Sequence, residues 1–180
     1  MVQQKVQAAF RKQYQGPFSF YGAPGRINLI GEHTDYNQGL VLSDATDKRM
    51  YLAIQPNKSH RVEITALDFN ETVSFELQET SPELPHWALY PYGTLREMEK
   101  DRLVATGFNA VFAGDIPVGA GLSSSAALES VFAVALNELF QAGIKKMQLA
   151  LAGQRAEHHY AGVKCGIMDQ FASIFGKKDH

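Results

Sequence analysis

The stretch "PVGAGLSSSAALES" at residues 117–130 decides how this chain is interpreted. Two glycines and three consecutive serines lead directly into a run of residues that is typical of a helix. The first N–H groups of a helix have no partner within it, and they lie at the positive end of its dipole. A glycine-containing turn in front of them lets an anion come close. The stretch therefore predicts either a phosphate-binding loop or a helix N-terminus capped by serine.

The composition of this loop separates it from three common loops. A Walker A loop needs a lysine that this stretch lacks, and a dinucleotide-binding turn needs a third glycine where Ser124 stands. The G-x-S-x-G turn of many hydrolases is also missing. Glu129 lies four residues after Ser125, so there is no capping box, and three serines exceed what one cap needs. If the loop binds phosphate, it does so through backbone N–H groups and serine hydroxyls, one of which could bind Mg²⁺.

The remainder of the chain predicts an α+β domain. A polar segment before Gly16 and Pro17 predicts a helix. Short apolar runs separated by Gly, Pro and Asn at 18–46 predict strands joined by tight turns. Four further strands are predicted at 49–56, 61–69, 72–78 and 107–117, and in 61–69 and 72–78 apolar residues alternate with polar ones. Helical periodicity follows in the second half of 87–103, where Pro91 lies near the expected start, and in 125–143, 147–162 and 166–176. Because the strands come mostly first, we expect α+β rather than a doubly wound sheet.

Composition excludes several classes of function. The chain has 180 residues and a formal net charge of −2, so it fits about one domain without the basic face that nucleic acids or acidic membranes require. Its one cysteine, Cys165, permits neither an internal disulfide nor a cysteine-based zinc site. The N-terminal segment lacks the apolar core that a signal peptide needs, so we expect none there, and no apolar run approaches ~18 residues. We expect a soluble, cytoplasmic protein with no nucleic-acid or membrane partner.

A second group of polar residues lies in "APGRINLIGEHTDYNQG" at residues 23–39, which holds Arg26, Glu32, His33, Asp35 and Asn37. Such residues are common in turns for structural reasons alone. Their density between apolar runs also suits a ligand with many hydroxyl groups, such as a sugar. A metal is the rival ligand, but the E-H-x-D spacing matches neither a helical ligand pair nor a calcium-binding loop.

A third stretch, "CGIMDQFASIFG" at residues 165–176, places Asp169 at the start of a predicted helix. Alone it would indicate only a favourable charge near the helix dipole. Together the three stretches resemble the galactokinases. "GRINLIGEHTDYNQG" resembles the galactokinase signature, "GAGLSSSAALE" the ATP-binding loop of the wider GHMP kinase family, and "AEHHYAGVKCGIMDQFAS" the segment with the catalytic aspartate.

The resemblance implies a fold and a domain assignment. It implies that residues 1–180 form a GHMP-kinase N-terminal domain, α+β in class and similar to the ribosomal protein S5 domain 2-like fold, with a mixed sheet and helices on one side. Galactokinases have two domains with the active site between them. We therefore expect this chain to correspond to the N-terminal half, with weak or no activity alone and an exposed interdomain surface that favours association.

The resemblance also implies roles for individual residues. Asp169 corresponds to the catalytic base, and Arg26 to the arginine that stabilises the transferring charge. The residues that correspond to sugar-binding positions are Glu32, His33, Thr34, Asp35 and Gly166. Those that correspond to the ATP site are Gly119, Ala120, Gly121, Leu122, Ser123, Ser124, Ser125 and Trp87, with Tyr90 beside Trp87. Ser125 and Glu157 correspond to ligands of Mg²⁺. A core tryptophan remains the alternative for Trp87, and a solvated helix face the alternative for Glu157.

The activity that the resemblance implies is the ATP-dependent phosphorylation of α-D-galactose at O1, with Mg²⁺ as cofactor. Three alternatives stay open at this point. The first is a non-catalytic sensor of galactose and ATP, although a sensor need not keep both Arg26 and Asp169. The second is a kinase for a related amino sugar, since the E-H-x-D acceptors do not separate galactose from its 2-acetamido relative. The third is a fragment that binds neither ligand.

Overall fold

The computed structural model describes residues 1–31, 34, 37, 39–117 and 120–177. The strands of this part of the chain are β1 (Ser19–Ile30), β2 (Leu42–Pro56), β3 (Arg61–Ala66), β4 (Glu71–Glu76) and β5 (Phe108–Gly114). The α-helices are α1 (Val2–Gln13), α2 (His86–Lys100), α3 (Ser124–Leu139), α4 (Lys146–Ala156) and α5 (Met168–Phe175). A π-helical turn, Glu157–Ala161, directly follows α4. The predicted α+β class is confirmed.

The strands form one mixed sheet in the order β1-β2-β5-β3-β4. β2 pairs antiparallel with both β1 and β5, and β3 pairs antiparallel with β4. The pairing of β3 with β5 is parallel, with Ile64 opposite Ala110. β1 is one long strand, whereas the sequence predicted short strands joined by tight turns. Gly22, Pro24 and Gly25 lie within this strand, and its pairing with β2 shifts register after Pro24.

Helices cover both faces of the sheet. Leu52 and Ile54 of β2 face the large core beneath α2, α3 and α4, whereas Tyr51 and Ala53 face the opposite side. The expected one-sided arrangement of helices therefore holds for the helices after β4. It does not hold for α1. Its buried Val6 and Phe10 form an apolar stripe at i, i+4 that packs against the opposite face of the sheet.

Helix α2 begins at His86, earlier than its sequence predicted, so Pro91 lies within it. Proline cannot donate the hydrogen bond to the carbonyl of Trp87 that a helix interior requires. Trp87, Ala88 and Tyr92 are all buried in the core around this position. The burial of these side chains outweighs the unfavourable effect of a proline inside the helix, and it fixes the aromatic start of α2 beside the sheet.

Exposed apolar side chains gather where β1 ends and β2 begins. Leu29, Ile30 and Leu42 are more than half exposed, and Ile30 pairs with Leu42 across the two strands. Leu40, in the connecting segment, is 95% exposed. None of the helices in the described ranges is long and apolar enough to cross a bilayer.

Candidate functional site

Three side chains from distant parts of the chain meet at Asp169. Arg26 comes from β1, Ser123 precedes α3, and Asp169 lies in the first turn of α5. The Nη2 atom of Arg26 forms a salt bridge with Oδ1 of Asp169. The hydroxyl of Ser123 donates to Oδ2 at 2.5 Å. The Arg26 side chain is 12% exposed and that of Asp169 25%, so the carboxylate is held in place yet still reachable from solvent.

The backbone of β1 also holds the glycine-serine loop. The N–H of Arg26 donates to the carbonyl of Leu122 at 3.0 Å. A Cβ on Gly25 would lie 2.6 Å from that carbonyl oxygen, so only glycine permits the loop to come this close. The register shift between Pro24 and Arg26 bends β1 at the same point. Arg26 thus positions the loop through its backbone and Asp169 through its side chain.

The serine at the start of α3 does not cap the helix through its side chain. Ser123 is the N-cap residue, with φ 51° and ψ 59°, and its side chain makes no capping hydrogen bond within the described part of the chain. Its hydroxyl is instead directed to Asp169. By helix geometry the first N–H groups of α3 have no intrahelical partner. They are therefore available to an anion, as the phosphate-loop interpretation requires.

A polar pocket of about 310 Å³ lies in front of these N–H groups. It is lined by Arg26, Pro117, Ala120, Gly121, Leu122, Ser123, Ser124 and Ser125. Val118 and the predicted Gly119 lie outside the described residues. The described part of the predicted phosphate loop therefore shares one concave surface with Arg26.

An aromatic pocket of about 240 Å³ adjoins the polar one, because Ser124 and Ser125 line both. Trp87, Tyr90 and Phe69 contribute its aromatic surface. Trp87 is 7% exposed and packs edge-on against Phe112 in the core, so it is a core residue and a pocket wall at once. The two alternatives for Trp87 are therefore compatible.

Phe69 is a site residue that the sequence reasoning missed. Its ring stacks on Trp87 with centroids 6.0 Å apart, and it is 52% exposed. Two hydrogen bonds stabilise its surroundings: Trp87 donates Nε1–H to Glu71 at 2.6 Å, and Gly114 donates its N–H to Asp68 at 2.8 Å. No motif marks Phe69, which lies at the end of the predicted strand 61–69.

Glu157 lies at the start of the π-helical turn and is 5% exposed. The alternative of a solvated helix face is therefore wrong for Glu157. Burial raises the pKa of the Cys165 thiol, and a hydrogen bond with Glu157 raises it further. Burial likewise raises the pKa of Tyr90, to which the charge of Glu157 adds. π-Helical turns recur at functional sites, and this one begins at a buried carboxylate.

The structure describes only part of the predicted sugar-binding set. Glu32, His33 and Asp35 lie outside the described residues. The hydroxyl of Thr34 lies 2.6 Å from the carbonyl oxygen of Gly31 and 3.0 Å from that of Leu40, and Thr34 accepts the N–H of Gly39 at 2.8 Å. The contacts of Thr34 therefore connect Gly31 with Gly39 and Leu40. Gly166 is buried just before α5.

A buried pair behind Asp169 was also missed. Gln170 and Glu129 are both 0% exposed, and Nε2 of Gln170 donates to Oε2 of Glu129 at 2.9 Å. Burial raises the pKa of Glu129 well above its ordinary value. The charges of Glu157 and Asp169 add to that rise, and the hydrogen bond from Gln170 opposes it. No periodicity or motif in the sequence marks these two residues as partners.

Two family models match the chain. The model described as the GHMP kinases N terminal domain matches residues 90–177, and that described as the galactokinase galactose-binding signature matches residues 8–56. Both matches agree with the geometry: the first includes the loop, α3 and Asp169, and the second includes Arg26 and the turn around Thr34.

Solved structures share the fold. A crystal structure of Lactococcus lactis galactokinase complexed with galactose matches at 32% identity and TM-score 0.92, over 98% of this chain and 47% of that one. A D-glycero-D-manno-heptose 1-phosphate kinase from Bacteroides thetaiotaomicron matches at 26% identity and TM-score 0.75, over 87% of this chain and 53% of that one. Methanococcus jannaschii mevalonate kinase shares the fold at 21% identity and TM-score 0.73, over 91% of this chain and 53% of that one. The chain spans about half the length of these proteins.

Proposed function

We propose, from the premise that this chain belongs to the GHMP kinase family, that it serves the ATP-dependent phosphorylation of galactose at O1. The observation that carries the proposal is the arrangement at Asp169. Arg26 and Ser123 hold its carboxylate, and both residues also line the polar pocket in front of α3. A hydroxyl acceptor, a fixed cation and an anion-binding helix terminus are the parts that phosphoryl transfer needs.

The nucleotide fits the two adjoining pockets by its chemistry. The triphosphate would lie on the N–H groups of α3 and the serines of the polar pocket. The base would enter the aromatic pocket, where the half-exposed ring of Phe69 offers a stacking surface beside Trp87. The shared residues Ser124 and Ser125 connect the two, as a nucleotide that spans both pockets would require.

The sugar hydroxyl would approach Asp169 from the solvent side of its carboxylate. Asp169 accepts the proton or orients the hydroxyl as it attacks the terminal phosphorus. Arg26 stabilises the negative charge that spreads over the transferring group, because its guanidinium stays charged at any working pH. Ser123 keeps the carboxylate in one orientation through its hydrogen bond.

Magnesium would be held by Ser125 and Glu157, whose hydroxyl and carboxylate are oxygen donors of the kind Mg²⁺ prefers. In the described residues no three His, Cys, Asp or Glu side chains come together as a metal site. A metal held by so few protein groups takes its remaining ligands from phosphate oxygens and water, which is usual for Mg²⁺ in kinases. When bound, the ion would neutralise charge on the triphosphate.

Galactose is the proposed substrate because the match at residues 8–56 is to a galactose-binding signature, and because the related Lactococcus lactis galactokinase is described as complexed with galactose. An amino-sugar kinase and a non-catalytic sensor of galactose and ATP are the alternatives. The joint presence of Arg26 and Asp169 in a salt bridge favours an enzyme, since a sensor needs no proton acceptor.

The proposal includes the wider organisation of the protein. Residues 1–180 would act as a GHMP-kinase N-terminal domain. The exposed apolar residues at the end of β1 and the start of β2 would provide a surface for association with another domain or chain.

A panel of sugars tests the substrate assignment. ADP release from Mg-ATP would be measured by a coupled assay with galactose, N-acetylgalactosamine, glucose and no sugar, with binding of each sugar followed by calorimetry. The proposal expects binding and the fastest ADP release with galactose. Faster release with N-acetylgalactosamine would favour the amino-sugar kinase. Galactose and ATP binding without release under any condition would favour the sensor, or an enzyme that needs a second domain to complete its active site.

A further inference from the structure

The helix that carries the proposed catalytic base is too short to fix its own position. α5 has eight residues, and helices shorter than about 12–15 residues are marginal in isolation. The orientation of Asp169 therefore depends on what α5 packs against. Consecutive residues of a helix point about 100° apart, so Gln170 and Asp169 face different neighbours.

Gln170 connects α5 to the helix that follows the glycine-serine loop. Its side chain is fully buried, and its Nε2 donates to Oε2 of Glu129, which is also fully buried on α3. One hydrogen bond therefore joins the helix that begins at Ser124 to the helix that bears Asp169. On the solvent side, the Ser123–Asp169 hydrogen bond joins the same two elements. Two hydrogen bonds thus join the first turn of α5 to α3 and its N-cap residue, one at Asp169 and one at Gln170.

The third helix at this junction leaves space for the pair. A Cβ on Gly153 of α4 would lie 3.0 Å from Cγ of Gln170 and 3.3 Å from Oε2 of Glu129. Both distances are tighter than ordinary contact, so the absence of a side chain at Gly153 lets the two polar residues sit between the helices. The pair is fully buried and lies close to the backbone of α4 at Gly153.

The pair is poorly explained by stability. Oε1 of Glu129 and Oε1 of Gln170 are buried without a hydrogen-bond partner among the described residues. Burial of an unpaired polar atom is unfavourable, and two apolar side chains of similar size would fill this space without that cost. A buried polar pair that carries this cost is better explained by what it positions.

We infer that Gln170 and Glu129 are positioning residues that hold the first turn of α5 so that Asp169 stays in the orientation set by Arg26 and Ser123. The inference rests on the proposed function for its consequence in catalysis, but its structural part does not. Loss of the pair leaves α5 free to tilt on α3. The Asp169 side chain then samples more than one rotamer.

The rotamer of Asp169 is the first readout, because it can be measured whether or not the chain is active. Three-bond couplings to the Asp169 Cγ in the isotopically labelled 180-residue chain report its χ1 population. We expect a single rotamer in the wild type and in Glu129→Gln, which keeps an acceptor for Gln170. We expect averaged rotamers in Gln170→Leu and in the double variant Glu129→Leu/Gln170→Leu.

The double variant and a matched control separate positioning from stability. The double variant replaces the pair by apolar side chains, so we expect it to fold with a melting temperature no lower than that of Gln170→Leu. Ser173→Ala removes another buried hydrogen bond of α5, that from Ser173 to the carbonyl of Pro24 at 2.8 Å, without touching the pair. Asp169 should keep one rotamer in this control even where its melting temperature falls.

The kinetic readout links the pair to the reaction. Where phosphoryl transfer is measured, kcat of the double variant should fall about tenfold while KM for Mg-ATP changes by less than about twofold, because misplacement of a base affects the chemical step more than binding. Averaged rotamers in Gln170→Leu and in the double variant, in a chain whose wild type binds neither galactose nor Mg-ATP, would support the positioning and contradict the proposed function. A single Asp169 rotamer and unchanged kcat in the double variant would overturn the positioning and leave the proposed function intact, and equal rotamer averaging in Ser173→Ala would also overturn it.

Discussion

Arg26 and Asp169 stand 143 positions apart in the chain and form a salt bridge in the folded protein. β1 brings the arginine and α5 brings the aspartate, and the backbone of Arg26 binds the loop that precedes α3. One residue therefore connects the phosphate-binding loop to the proposed base. Each prediction that follows depends on this junction or on an element that supports it.

Asp169→Asn tests the proposed base. The amide keeps the shape of the side chain but accepts no proton, so phosphoryl transfer should fall ~10²–10⁴-fold. Binding of Mg-ATP should change little, because the loop and the N-terminus of α3 are unaltered. Transfer of the labelled γ-phosphate gives the rate, and calorimetry gives the nucleotide affinity as a control. Activity within about threefold of the wild type would show that Asp169 is not the base.

Arg26→Met tests the cation while leaving the backbone contact with Leu122 in place. The variant loses the charge that faces the transferring group and the salt bridge to Asp169, so the transfer rate should fall by about 10²-fold or more. Arg26→Lys restores a charge without the planar fork and should recover only part of the rate. If Arg26→Met and Arg26→Lys are equally active, the charge of Arg26 is not part of the mechanism.

Phe69→Ala tests the aromatic pocket without disturbing the core, because the Phe69 side chain is half exposed. Stacking of a base on an aromatic ring contributes ~1–3 kcal/mol, so the Kd of Mg-ATP should rise about 5- to 150-fold. Trp87 is the only tryptophan of the sequence and packs against Phe69, so its fluorescence should report the titration. An unchanged Kd would place the base elsewhere. Phe171→Ala, at a half-exposed phenylalanine outside this pocket, is the matched control.

Glu97 contacts the π-helical turn and the helix before it, and its substitution tests how much these contacts stabilise the protein. It is 1% exposed and accepts hydrogen bonds from Lys100 at 2.6 Å and Arg155 at 2.8 Å, and it lies 2.9 Å from Nδ1 of His159. Burial tends to raise the pKa of Glu97, but these hydrogen bonds outweigh it and lower the pKa below 4.5. A lowered pKa in the folded state stabilises the protein above the unfolded value, and the stabilisation is lost as the pH falls through the folded value.

Glu97→Gln should therefore lower the free energy of unfolding by about 1–3 kcal/mol at pH 7. The difference from the wild type should shrink as the pH falls below 4.5, the ordinary value for this carboxyl. Urea unfolding at neutral and acidic pH measures both. Glu99→Gln is the control, since Glu99 is 31% exposed and pairs only with Arg96 among the described residues, so its effect should stay within about 1 kcal/mol. A difference for Glu97→Gln that is constant with pH would contradict this account.

Local patterns predicted most of the fold. β3 and β4 follow from alternation, and α3 from helical periodicity, within a few residues of their observed bounds. The sequence did not predict that α1 covers the opposite face of the sheet, because an amphipathic stripe does not say which face it covers. Nor did it predict that α2 begins before Pro91, since only the tertiary burial of Trp87 and Tyr92 makes that helix start favourable.

The residues of the candidate site also fall into those that the sequence predicted and those that only the structure shows. The loop and Asp169 were accessible from motifs, because anion binding and proton transfer need particular residue types at particular spacings. Phe69 and the Glu129–Gln170 pair were not, because their partners are distant in sequence and their residue types are ordinary where they stand. Gln170 becomes informative only when α3 and α5 are seen side by side.

Calorimetric titration of galactose into the 180-residue chain, with and without Mg-ATP, tests the central claim most directly, provided that the same titration is run on Arg26→Met. The account predicts that the wild type binds galactose and Mg-ATP and that each ligand is still bound in the presence of the other. It also predicts that Arg26→Met weakens binding when both are present. A folded wild-type chain that binds neither galactose nor Mg-ATP would contradict the account.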